Sequence, residues 1–268
     1  MNDGVFGRTA FPGVTFWRAL GSEMYAFWVL RSVVWCVVAL VVFQVGLCAL
    51  TASTINDIPL TLRNGSDLSA SPNNGAMFIV SSANSDGFLA AIIGSMYAGH
   101  EYRGHQIGES LLRIPNRALL LISKSISLFI AVFLAALLAF GLSVIPAAFA
   151  LSSSSQSGGD LGFDIIYAIL GAALFLALIS LFSFGIAFFT RSLVWGIVCS
   201  LGVLLLVPIV LLAIGTDWAR AVFRFLPSAG VGIFESSTDG PILSMIVLIV
   251  WVGLSLTGAF CVLRWHDV

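Results

Sequence analysis

Apolar residues along this chain fall in long unbroken blocks, with no alternation of the kind a strand would show. Blocks at about 32–52, 76–99, 118–150, 163–189, 193–215 and 241–263 each approach or exceed the roughly 20 residues a helix needs to cross a bilayer, which predicts six spans. The second is the weakest. Residues 87–99 alone would cover only about 20 Å at about 1.5 Å per residue, so its helix must begin near Ala76. That places Ser81, Ser82, Asn84, Ser85 and Asp86 at membrane depth. The third block is longer than a crossing requires and is expected to tilt or protrude. The first begins too late and runs too long for a cleavable signal peptide. Between the blocks, 53–75, 151–162 and 216–240 read as external loops.

Two amphipathic stretches interrupt this scheme. Before the first block, Phe16, Trp17, Leu20, Met24, Phe27 and Trp28 share one helical stripe, with Arg18, Ser22, Glu23 and Arg31 off it. This is the pattern of a helix lying in the membrane interface, an elbow within a cytoplasmic segment 1–31. In 101–117, Ile107, Leu111, Leu112 and Ile114 recur near helical spacing, while Arg103, Gln106, Glu109, Ser110 and Arg113 take the other positions. Pro115 stops that pattern, which predicts a short amphipathic helix between spans two and three. Thr190-Arg191-Ser192 is so short a link that spans four and five must be antiparallel neighbours. In 216–240, Trp218, Val222, Phe225 and Leu226 oppose Arg220 and Arg224, and the stretch from Phe225 to Gly230 would break the helix into a hairpin dipping into the outer leaflet.

Composition fixes the class. Hydrophobic residues make up 59% of 268 and charged residues 9%, against about 25% charged in soluble domains. The fold class is therefore all-α, a polytopic membrane protein with a six-helix domain over 32–268. A net charge of −1 carries no argument for nucleic acid, and no such partner is expected. The distribution of charge says more. With the N-terminus inside, nine Lys and Arg (Arg8, Arg18, Arg31, Arg103, Arg113, Arg117, Lys124, Arg191, Arg264) face three outside (Arg63, Arg220, Arg224). This bias places both termini and the 101–117 helix in the cytoplasm. Cys36, Cys48, Cys199 and Cys261 all lie in apolar runs and read as small hydrophobes. One lysine stands against eleven arginines, and by itself that carries no functional reading.

Catalytic chemistry is not evident. The two histidines of His100-Glu101-Tyr102-Arg103-Gly104-His105 are five apart, not the four that would put both on one helical face for zinc. Lys124-Ser125 follows Ser123 and not the glycine of a phosphate-binding loop. No Gly-x-Ser-x-Gly elbow occurs. No catalytic residue, metal or cofactor is expected in this chain.

The order of parts resembles the permease subunits of type-2 ABC exporters: elbow, span, external loop, span, cytoplasmic coupling helix, then four spans with a hairpin between the last two. Glu101-Tyr102-Arg103 is similar to the Glu-aromatic-Arg that opens the family's coupling segment. Leu112 with Pro115 and Arg117 is similar to its Leu-x-x-Pro and following basic residue, and Lys124 to the lysine that starts span three. His105-Gln106 stands where the family usually shows Gly-Thr. The link Thr190-Arg191-Ser192 and the ending Arg264 to Val268 also resemble the family's.

This resemblance implies a subunit that pairs with a second copy or a related permease and with two separate ATPase subunits, which would bind the ATP and magnesium. It implies coupling through Glu101, Tyr102, Arg103, Ile107, Glu109, Leu111, Leu112, Pro115 and Arg117, with Glu23 and Arg191 as secondary contacts. Small external loops suggest a membrane-partitioning cargo such as an antimicrobial peptide or hydrophobic drug; lipid-linked glycan or lipid is the competing cargo. Gln44, Ser82, Asn84 and Asp86 are the candidate pathway residues. Asp86 has two readings: a helix cap with span two beginning at Gly87, or part of the outer mouth of a cleft between permeases that favours cationic cargo. An ion-coupled secondary carrier is the rival class, with Asp86 as its only acidic candidate at membrane depth.

Overall fold

The computed structural model of the protein describes residues 16–57, 79–80, 82–102, 117–153, 163–229 and 241–265. Its elements are α1 (Phe16–Val29), α2 (Arg31–Asp57), α3 (Ala83–Tyr102), α4 (Arg117–Ser153), α5 (Phe163–Thr190), α6 (Leu193–Leu201), a π-helical turn (Gly202–Leu206), α7 (Val207–Ile214), α8 (Asp217–Phe223) and α9 (Pro241–Trp265). No strand occurs among the described residues.

Five stretches are long and apolar enough to cross a membrane: Arg31–Thr51, Ala118–Phe149, Ile165–Thr190, Leu193–Ile214 and Ile242–Val262. The protein is a membrane-embedded, polytopic helical protein. The second expected span corresponds to α3, whose 20 residues include Asn84, Asp86, His100 and Glu101; these polar groups dilute it below the other five. The fifth span is one continuous stretch made of α6, the π turn and α7, with Pro208 directly after the wider turn and Gly215 closing it in the left-handed conformation at φ 67°. A π turn holds one residue more than an α turn, and it shifts the helical face between the two halves.

The centre of the bundle is α5. Helices α3, α4, α6 and α9 all pack on it, and its Phe175, Phe182, Phe184 and Phe188 are among the largest fully buried side chains. Lipid is as apolar as leucine, so helices in a membrane associate through close packing and hydrogen bonds and not through a hydrophobic drive. Both devices are present. A Cβ at Gly94 would collide with the Ser180 carbonyl oxygen, and one at Gly185 would lie 2.5 Å from the Ser255 hydroxyl, so α3 and α9 meet α5 backbone to backbone. Polar glue sits between α3, α5 and α6: the Ser95 and Ser183 hydroxyls are 2.5 Å apart, and Ser183 bonds the Ala91 carbonyl and, at 2.8 Å, Ser200. All three serines are fully buried.

Helix α1 packs across α4 and, less, on α2. Its inward face is Leu20, Glu23, Met24 and Phe27, whereas Trp17 and Trp28 are exposed. Here the structure corrects the expected stripe: Glu23, expected on the polar side, is buried, and the two tryptophans point away. Residues i, i+3, i+4 and i+7 share a helical face, and Glu23 occupies the i+3 place of that face because it has a partner there.

Candidate coupling site

The partner is Lys124. Its Nζ lies 2.6 Å from Glu23 Oε2 and 2.8 Å from Glu101 Oε1. The three side chains are only 5%, 10% and 12% exposed. Charges this deeply removed from water persist only when paired. The Tyr97 hydroxyl donates to the same Glu23 oxygen at 3.2 Å, and the ammonium lies 5.4 Å from the centroid of the Tyr97 ring, within cation–π range. Phe27 and Phe184 flank Tyr97, at centroid distances of 5.3 and 6.0 Å, and close the cluster on its apolar side.

The three charged members come from three different elements. Glu23 stands on α1, Glu101 on the last turn of α3 and Lys124 on the second turn of α4. The segment 103–116 runs from the end of α3 to the start of α4, so the cluster ties both roots of that segment to each other and to the N-terminal helix. Flanking contacts extend the tie. Ser32 Oγ and His100 Nε2 are 2.7 Å apart, which joins the start of α2 to the end of α3. The Tyr102 hydroxyl donates to the Phe188 carbonyl at 3.1 Å, which joins α3 to the last turn of α5. Arg191, in the link after α5, adopts φ 52° and donates to the Val262 carbonyl of α9 at 3.2 Å. The left-handed region is costly for a residue with a Cβ, and this hydrogen bond helps to hold Arg191 there.

Of the expected coupling residues, Glu101 and Tyr102 are the last two residues of α3, not the opening of a separate helix, and Arg117 is the first of α4. Arg103, Ile107, Glu109, Leu111, Leu112 and Pro115, with the short helix expected to carry them, lie outside the described residues. The secondary candidates divide. Glu23 joins Glu101 through Lys124, whereas Arg191 serves the link between α5 and α6. Sequence reasoning missed Lys124 and Tyr97 as members of the site. A signal existed: the chain's single lysine stands in an apolar helix, where an ammonium requires a counter-charge.

The pathway candidates form a second group. Gln44 of α2 is fully buried, donates to the Ile79 carbonyl at 3.0 Å and accepts a hydrogen bond from Ser82. Asn84 is exposed. Asp86 is fully buried, and neither of its carboxylate oxygens has a hydrogen-bond partner. It is not a helix cap: α3 begins at Ala83, and the Asp86 amide already donates to the Ser82 carbonyl at 3.1 Å. No group of three or more His, Cys, Asp or Glu able to hold a metal ion occurs among the described residues.

No protein-family model matches the chain, and no curated protein matches it either.

Proposed function

We infer that the protein is the membrane subunit of an ATP-driven exporter, working with a separate ATPase that bears on the segment 103–116. The observation that carries this reading is the Glu23–Lys124–Glu101 cluster. A force applied to a connecting segment moves helices only if its two roots are rigidly joined, and buried ion pairs fix geometry more firmly than apolar contact. In this reading α3 is the second of six spans, α1 is an interfacial elbow, and both termini and the cluster face the cytoplasm. Closure of the ATPase would push 103–116, and α1, α3 and α4 would tilt as one body, opening the pathway outward.

The cargo that fits is apolar or amphipathic. A groove of about 550 Å³ lined by Leu121, Ile122, Ser125, Leu181, Leu256 and Phe260 lies between α4, α5 and α9, near the end of the bundle that carries the cluster. Its open side would admit a hydrophobic molecule laterally from the bilayer. Antimicrobial peptides and hydrophobic drugs fit this better than a large glycan; lipid-linked glycan remains the competing cargo. The second permease of the pair is a copy of this chain or a related one.

Affinity purification of the full chain from its native membrane tests the reading. An ATPase should co-purify, and Leu111→Asp should remove it by placing a charge in the docking groove, at a cost of about 1 to 3 kcal/mol. Undiminished ATPase binding and export by Leu111→Asp would sink the proposal. One observation favours a second reading: a buried acid without a partner, as Asp86 is, belongs as readily to an ion-coupled carrier. Transport that survives ATP depletion but stops when the proton gradient is collapsed would select that class.

A further inference from the structure

Asp86 lies in the first turn of α3, on the face that α2 and α5 cover. Toward one end of α3, Ser82 meets Gln44, and toward the other, Met96 lies 3.4 Å from the Cys36 thiol. Asp86 falls between these two contacts along α3, four residues from Ser82. On its other side, a Cβ at Gly87 would lie 3.4 Å from the Phe175 ring, and Phe175 is close to the middle of Ile165–Thr190. The described parts of three helices thus surround a carboxyl group that has no exposure and, among the described residues, no hydrogen-bond partner for either oxygen.

The described side chains around it offer no counter-charge. Among the described side chains, α2 carries Gln44 and the Cys36 and Cys48 thiols and no charged group between Arg31 and Asp57, and the only titratable group of α6 is Cys199. On α3 itself the Tyr97 phenol shares the Asp86 face, about three turns away. After Lys124, α4 has no ionisable side chain among its described residues, and α5 has none between Tyr167 and Arg191. Arg31, Glu101 and Lys124 stand toward the far end of their helices, and Arg191 in the link after α5. Among the described side chains no cation would stabilise an ionised carboxylate enclosed here, whereas the neutral acid loses far less on burial.

We propose that Asp86 is a proton-binding site inside the helix bundle, occupied in this closed arrangement of α2, α3 and α5. When that interior opens to water, the acid passes its proton to water and leaves a hydrated carboxylate; closure takes the proton back. Opening is thereby linked to proton release, whichever energy source drives the cycle, so the site stands independently of the exporter reading. Gln44, Ser82 and the Ile79 carbonyl form a hydrogen-bonded polar group just N-terminal to the acid on α3.

Infrared spectroscopy of the full chain in phospholipid bilayers tests this directly. With aspartate isotopically labelled at the side-chain carboxyl carbon, the wild type at neutral pH should show a carbonyl stretch of a protonated carboxyl that shifts with the label. Asp86→Asn should remove that band. Asp86→Glu, which retains an acid if Asn perturbs folding, should keep a protonated-carboxyl band that no longer shifts. A labelled wild type without the band would overturn the proposal, as would a label-sensitive band persisting in either variant.

Discussion

Lys124 Nζ and Glu23 Oε2 meet at 2.6 Å across 101 residues of chain, and with Glu101 at 2.8 Å the same ammonium serves two carboxylates. Removing the cation should therefore cost more than removing either anion. Lys124→Met is expected to destabilise the protein by about 3 to 5 kcal/mol, because it strands both buried carboxylates. Glu23→Leu combined with Lys124→Met should recover part of that loss, since an apolar pair needs no counter-charge. Thermal unfolding of the two single variants and the double variant in bilayers, read as a double-mutant cycle, measures the coupling. Strict additivity would show that the two residues do not interact.

Helix α3 is held to α5 by the close approach at Gly94, and there the smallest possible side chain is already too large. Gly94→Ala should push the helices apart and sharply lower the yield of folded protein, because the colliding atom is the Ser180 carbonyl oxygen of the backbone. Gly46, on α2, has nothing within 4 Å of an added Cβ. Gly46→Ala should be neutral or stabilising by up to about 1 kcal/mol. Size-exclusion profiles and thermal midpoints of the two variants provide the comparison, and equal behaviour would contradict the packing described.

Trp251 Nε1 donates to the Phe225 carbonyl at 2.7 Å, tying the turn after α8 to α9. Trp251→Phe keeps an aromatic ring against Phe182, whose ring centroid is 5.7 Å away, but removes the donor. A loss of about 1 kcal/mol is expected, together with faster proteolysis near Arg224 and no change at the Lys124 cluster. Unaltered cleavage would mean that the turn is held by other contacts.

Topology is open to chemical labelling. Cys261 is exposed, Cys36 and Cys199 are half-buried and Cys48 is buried, so the measurement requires a background without cysteine. In it, a membrane-impermeant thiol reagent applied from outside should label Ser69→Cys, Ser155→Cys and Ser236→Cys, and should spare Ser110→Cys and Ser192→Cys. External labelling at position 110 would place the connecting segment on the wrong side for an ATPase and would invert the orientation.

Most of the architecture was legible from the chain because membrane insertion is a local criterion. A run of about 20 apolar residues commits to a helix whatever its neighbours are. The expected spans at 32–52, 118–150, 163–189, 193–215 and 241–263 accordingly match the five apolar stretches to within a few residues. The start of α3 was less legible, since the sequence left open a helix beginning near Ala76 and one beginning at Gly87; the helical bond from the Asp86 amide to the Ser82 carbonyl puts the acid inside the helix. The face of α1 was misread for a related reason. Periodicity sorts residues by polarity, so it sent Glu23 outward, whereas burial of a charge depends on a counter-charge that can sit anywhere in the chain. Glu23, Glu101 and Lys124 could each be singled out in sequence, but their meeting depends on how α1, α3 and α4 pack. Helix identity was thus determined by local composition, and the ionic cluster and the isolated acid at Asp86 were decided by tertiary structure, because electrostatic pairing acts through space and leaves no periodic mark on the sequence.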